Sequence, residues 1–390
     1  MSMGGDNSGG FPRGRAAIVG AATFGIGKCP GVSAVDMAAR AALLALADAG
    51  IALSEVDALY TSAPYEALGG MELAEYLGLT PKVTDCNRTG GSAFEVYVQQ
   101  AALALEAGLI NCALIAYGSN PASNPPPGVG MTRQSPWEAP YKPLAPISSY
   151  ALAASRHMHL YGTTREQLAE VAVAARQWAQ LNPEAAVRDP LSIDDVLKAR
   201  MVSDPLSVRD CCLFNDGAAA IIMVRADRAK DCAKAPIHVL GAAHAVTHRE
   251  ISSMPDLTVT GAAISGRQAF AQARVAPADI HVAMLYDAFT ITPILFLEDL
   301  GFCPKGEGGR FVSGGHIAPG GGLALNTNGG GLSCVHPGMY GLFLLVEATR
   351  QLRGECEARQ VRDARLAVAH GNGGVLSSEA TVVLGTADTL

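Results

Sequence analysis

The stretch Asn326–Gly341, NTNGGGLSCVHPGMYG, carries the residue types in this chain best suited to chemistry. Gly329, Gly330 and Gly331 allow a sharp bend and close approach of a ligand to the backbone. His336 follows, and the Pro337–Gly338 pair after it belongs in a turn rather than a helix interior. From Tyr340 onward Leu342, Phe343, Leu345, Val346, Ala348 and Leu352 recur at helical spacing, up to Gly354. The pattern predicts a histidine on a glycine-rich turn at a helix N-terminus, a place for acid–base or oxyanion chemistry. The same string would also suit a tight turn whose histidine only satisfies backbone groups. Cys334 reads either as a nucleophile or as a small buried hydrophobe. The nine cysteines show no CxxC spacing, and His157, His159, His244 and His248 form no ligand set, so no metal is expected.

Alternating strands and helices must position these residues. Ala16–Gly20 reads as a buried strand, and Ser33 caps a helix that Gly50 closes. Val56–Tyr60 is a second strand, residues 71–79 a helix, and Lys82–Asp85 a short strand entering Asn87–Ser92. A long apolar helix then runs from Ala93 to Gly108, before a strand at Asn111–Tyr117. That order returns. Asp279–Tyr286 matches Glu55–Tyr60, NTNGGG matches NRTGGS at Asn87–Ser92, and Arg365–Gly371 matches Ala113–Gly118. The chain is read as an internal duplication. Residues 1–14 are expected to be a flexible tail, 15–119 with 211–234 one half, and 235–390 the other. Residues 120–210, beginning with the Pro/Gly-rich 121–134 and largely helical from 146 to 180, are expected to be an inserted cap over a pocket or a dimerisation element.

With 390 residues, 49% hydrophobic and only 17% charged, the composition fits a large α/β protein with an extensive core. A net charge of −7 argues against nucleic acid or an anionic membrane as partner. No uninterrupted apolar run is long enough to span a bilayer, and the cysteine usage reads as reduced cytoplasmic thiols.

From Ala16 to Gly385 the chain resembles the thiolase superfamily, in its sterol-carrier-protein-type or lipid-transfer-protein branch. The matching blocks are NTNGGGLSCVHPGMYG, YDAF at Tyr286–Phe289, DPLSVRDCCLFNDGAAA at Asp204–Ala220 and HGNGG at His370–Gly374. The resemblance implies duplicated α-β-α-β-α layers, a homodimer and acyl-coenzyme A substrates, with coenzyme A part of the substrate and no tightly bound cofactor. It also implies a small partner protein combining an OB-fold with a zinc ribbon. One departure decides the chemistry. Where thiolases place their nucleophilic cysteine, TGGSA puts Gly90, and Cys86 lies four residues too early. Members lacking that cysteine resemble steroid side-chain aldolases, which carry a tyrosine where Tyr286 stands and a second tyrosine at the position of His336. The implied activity is retro-aldol cleavage of a β-hydroxyacyl-CoA with a steroid or lipid side chain. The alternatives are a Claisen-type thiolase or acyltransferase using Cys86 or Cys334, and a non-catalytic acyl-CoA-binding subunit. On the aldolase reading Tyr286 or His336 is the base, His336 and glycine-turn amides hold the thioester oxygen, and His370 returns a proton to the α-carbon. Gly90, Gly91, Ser92, Asn326, Gly330, Tyr340 and Asn372 are expected to contact substrate.

Overall fold

The computed structural model describes residues 10–63, 68–125 and 135–390. The expected tail at residues 1–14 and loop at 121–134 therefore fall partly outside the described residues. The first half runs β1 (Ala16–Gly27), α1 (Ala34–Ala49), β2 (Ala58–Thr61), α2 (Gly69–Leu77), β3 (Val83–Asp85), α3 (Ala93–Glu106) and β4 (Cys112–Ser119). Two long helices, α4 (Ile147–Tyr161) and α5 (Arg165–Gln180), come next, before β5 (Asp216–Arg225) completes the half. The second half runs β6 (Ile237–Val246), α6 (Ala262–Ala273), β7 (Val282–Leu285), α7 (Ile291–Asp299), β8 (Ala324–Leu325), α8 (Gly341–Arg353), β9 (Leu366–Gly373) and β10 (Ser378–Gly385).

The duplication expected from the repeated strings is visible in the sheet. Its order is β3-β2-β4-β5-β1 in one half and β8-β7-β9-β10-β6 in the other. Strand sense repeats as well. β2 is parallel to β3 and β4, as β7 is to β8 and β9, while β5 and β10 each run antiparallel to both neighbours. The halves meet where Ala17 and Ile18 of β1 pair with His238 and Ile237 of β6. Helices α3 and α8 pack on each other and on strands of both halves, forming the middle layer, with α1 and α6 outside. The layers are α-β-α-β-α, as expected.

Local chemistry explains these elements. Ser33 caps α1 by accepting the Asp36 N–H at 3.2 Å, and Gly50 ends it at φ 68°. Its buried face is mostly alanine, so the helix lies at backbone contact with β1. A Cβ at Gly20 would overlap the Ala45 carbonyl oxygen. Buried on both faces, β5 reads as a continuous apolar run rather than an alternating one.

The inserted helices are bonded to the second half. Helix α4 is tied to α7 through His157 Nε2 and Glu298, 3.0 Å apart. Beyond α5, Asn182 Nδ2 donates to the Asn328 carbonyl at 2.9 Å, and within it Arg176 Nε donates to Ser333 Oγ at 2.9 Å. The insert thus buttresses the glycine-rich turn from behind.

Candidate active site

Tyr286 is the first residue after β7, and its hydroxyl lies 2.9 Å from Nε2 of His336. Four local devices bring them together. The Asn326 side chain holds the end of β7 by accepting the Leu285 N–H and donating to the Leu285 carbonyl, both at 2.8 Å. Asp287 accepts the N–H groups of Gly331 at 2.6 Å and Leu332 at 3.3 Å, which closes residues Gly330–Cys334 into a π-helical turn. Gly330 sits at φ +66°, and a Cβ there would overlap the Asp287 carboxylate, so no other residue fits. Across the halves, Asn215 Oδ1 accepts the His336 N–H at 2.8 Å while its Nδ2 donates to the Cys334 carbonyl at 3.2 Å.

Electrostatics makes this a neutral pair. Burial pushes the His336 imidazole down to about 4, so at pH 7 it is uncharged and one ring nitrogen is an acceptor. Burial likewise holds the Tyr286 phenol well above its ordinary value of 10, opposed by the Tyr340 N–H, which donates to the phenol oxygen at 3.0 Å. With that donor already in place, the Tyr286 O–H is assigned to His336 Nε2. The buried Asp287 carboxyl is raised to about 7 by desolvation, against the two turn amides that lower it.

Several expectations require correction. His370 does not join the pair. Its ring is fully buried against Phe296 of α7, with Nδ1 2.9 Å from Thr381 Oγ1 and Nε2 3.1 Å from Glu379. Only its backbone reaches the site, where its carbonyl accepts the Tyr286 N–H at 3.0 Å. Asn326 and Gly330 are scaffold, and the amides of Gly330 and Gly331 are already spent on Asn328 and Asp287, so they cannot hold a thioester oxygen. His336 lies on the turn ahead of α8, and Tyr340 caps the helix start. The Tyr340 hydroxyl is buried and donates to Asn328 Oδ1 at 2.8 Å.

The first half supplies the opposite wall. Gly90 adopts φ +87° against the backbone of Gly373 and Gly374, and a Cβ at Gly91 would overlap the Tyr286 ring. Ser92 Oγ donates to Ser378 Oγ at 2.9 Å, and Asn372 Nδ2 donates to the Tyr150 hydroxyl at 2.8 Å. A cavity of about 360 Å3 opens beside Gly90, walled by Gly373, Gly374 and, from the insert, Pro143, Pro146 and Ser149. Neither alternative nucleophile stands at the pair. Cys86 lies against Gly69 and Gly70 of α2. Cys334 is buried next to Asn182, and burial raises its thiol well above the usual range. Sequence reasoning missed Asn215, Asp287, Asn328 and Tyr150 as site residues. The first three stand in the quoted blocks FNDG, YDAF and NTNGGG, but Tyr150 had no local signal. Among the described residues no group of three or more His, Cys, Asp or Glu side chains could hold a metal ion, and no helix is long and apolar enough to cross a membrane.

Two stacked copies of one mixed sheet, with a Gly-rich helix start and a His-Pro turn facing each other, define a thiolase fold. Known proteins agree. The family model described as Thiolase C-terminal domain-like matches residues 243–386. An acetyl-CoA acetyltransferase of Methanothermobacter thermautotrophicus is 34% identical over 376 residues, spanning 92% of this chain and 96% of that protein. The 17-hydroxy-3-oxo-4-pregnene-20-carboxyl-CoA lyase of Mycobacterium tuberculosis is 34% identical over 364 residues, spanning 87% and 92%. The solved Ltp2-ChsH2(DUF35) aldolase superposes with a TM-score of 0.87 at 31% identity, covering 96% of this chain and 98% of that one. The chain belongs to the thiolase superfamily, and its relatives there include lyases and aldolases beside an acyltransferase.

Proposed function

We propose that this protein cleaves a β-hydroxyacyl-CoA by retro-aldol chemistry, without a covalent acyl-enzyme or a tightly bound cofactor. The observation that carries the reading is the Tyr286–His336 pair at 2.9 Å, facing a helix start where Gly90 replaces any thiol. A covalent acyl-enzyme needs a nucleophile, whereas a retro-aldol reaction needs only a proton acceptor for the β-hydroxyl and a place for the enolate. The β-hydroxyl gives its proton to the Tyr286 oxygen as Tyr286 passes its own to His336 Nε2. The hydroxyl oxygen becomes a carbonyl, the Cα–Cβ bond breaks, and its electron pair forms the thioester enolate. The same proton returns through Tyr286 to Cα, releasing a ketone or aldehyde and a shortened acyl-CoA. No free phenolate forms, which suits a phenol held well above 10. The N-terminus of α3, at Gly90–Ser92, places the positive end of a helix dipole on the enolate side.

The substrate class in this reading is a bulky acyl group, steroid or lipid, on coenzyme A. The apolar share of the cavity walls, from Pro143, Ala145, Pro146, Val246 and Val375, supports it, as does the steroid carboxyl-CoA lyase among the relatives. Assembly is part of the same proposal: a homodimer through the edge strand β3, and a DUF35-type partner with an OB-fold and zinc ribbon, which the neighbouring aldolase supports. All nine cysteines are free thiols, in keeping with a cytoplasmic setting. The test is to supply β-hydroxyacyl-CoAs to untreated and iodoacetamide-treated protein. Carbonyl product from both supports the lyase. Activity that alkylation abolishes, or a trapped acyl-enzyme, would establish the Claisen reading with Cys86 or Cys334.

A further inference from the structure

Glu95, the third residue of α3, is 1% exposed, and neither of its carboxyl oxygens has a hydrogen-bond partner. Another buried acid of the middle layer shows the contrast: Glu347 of α8 is bound by Arg359 at 2.9 Å and by Thr327 at 2.8 Å. Two glycines on facing elements make room for Glu95. A Cβ at Gly371 of β9 would overlap its carboxyl, and one at Gly341, the first residue of α8, would lie 2.6 Å from Oε2. Leaving a buried polar group unpaired is costly, and an apolar side chain of similar size would avoid that cost. The site it abuts is the start of α8, where the Tyr340 N–H is bound to the phenol oxygen of Tyr286.

We propose that Glu95 is a positioning residue that works as the neutral carboxylic acid, leaving the Tyr340 N–H at the start of α8 to the Tyr286 oxygen, and that its ionisation draws that N–H away and switches the site off. An amide at a helix start favours whichever neighbour carries negative charge, so a Glu95 carboxylate would compete with the Tyr286 oxygen for the Tyr340 N–H. Burial raises Glu95 to about 8, which keeps it protonated at neutral pH and brings its ionisation just above. Among titratable groups, Glu379 of β10, which His370 of β9 binds, interacts with Glu95, and Tyr340, bonded to Tyr286, immediately precedes the Gly341 that Glu95 abuts. A negative charge on Glu379 would oppose that of Glu95. The proposal rests on the role given to Tyr286.

The experiment compares the full-length wild type with Glu95→Gln, which keeps the shape and cannot ionise. In wild type kcat/KM on a β-hydroxyacyl-CoA should fall roughly tenfold per pH unit above about pH 8, and in Glu95→Gln that limb should disappear or move at least a unit higher. An unchanged limb overturns the proposal. Phenolate absorbance, with Tyr286→Phe as the reference, gives a readout independent of turnover. Tyr286 should ionise at lower pH in Glu95→Gln than in wild type, and identical titrations overturn the proposal even if no aldolase activity exists. Absence of turnover with the expected phenolate shift would instead remove only the retro-aldol reading. Should Glu95→Gln fail to fold, Glu95→Leu is measured against the same expectations.

Discussion

Asn215 in the first half accepts the backbone N–H of His336 in the second at 2.8 Å, one side-chain bond joining the two halves at the site. The same amide group donates to the Cys334 carbonyl, so Asn215 closes both ends of the segment that carries the imidazole. Replacing it by alanine strands a buried N–H and a carbonyl at a cost of about 1–3 kcal/mol. Asn215→Ala should therefore lower the unfolding midpoint modestly and reduce kcat by at least about tenfold, since a displaced imidazole loses its bond to Tyr286. Unchanged kcat in the folded variant would show that His336 holds its position without Asn215.

Tyr286→Phe keeps the ring against Gly91 and deletes the hydroxyl that joins His336 to Tyr340. Turnover should fall by about 10²–10⁴-fold, the usual worth of a positioned acid or base, with little change in folding beyond the loss of two hydrogen bonds. Near-normal turnover would move the role of base to His336.

The acid limb of kcat/KM should lie low. His336 is lowered from 6.5 to about 4 by burial, so its acceptor nitrogen survives well below neutrality and is lost only as pH falls toward 4. A histidine held neutral in the folded state contributes stability that is complete above 6.5 and lost as pH drops from 6.5 toward 4. His336→Gln should flatten unfolding free energy over that window, where a tenfold difference in proton affinity between the folded and unfolded chain corresponds to about 1.4 kcal/mol. An acid limb near 6.5 would mean an imidazole open to water.

Restoring a cysteine should not restore a thiolase. Gly90 lies at φ +87°, and a Cβ would come within 2.7 Å of Gly373 Cα and 2.9 Å of Gly374 N. Gly90→Cys should destabilise the protein by more than about 1 kcal/mol through strain alone and yield no acyl-enzyme. A stable variant that accumulates an acyl thioester would show that the loop can rearrange.

Much of the architecture is written in local signals. Ser33 before an apolar helix, Gly50 after it, and the paired strings NRTGGS and NTNGGG depend on neighbours within a few residues, so element order, duplication and family were legible directly. The Tyr286–His336 pair was also anticipated, because each stands in a block whose backbone geometry is built from its own glycines and prolines. Side-chain direction was not. His370 alternates along β9 with Gly371, and a one-residue difference in facing sends its ring to Thr381 and Glu379 while Gly371 meets Glu95. The turn amides looked free in the sequence, and only the return of Asp287 beneath them, more than forty residues earlier in the chain, occupies them. Glu95 appears in the sequence as one more helix acid. Its burial without a partner arises from contacts with Gly341 and Gly371 in the other half, since desolvation is a property of packed neighbours rather than of spacing.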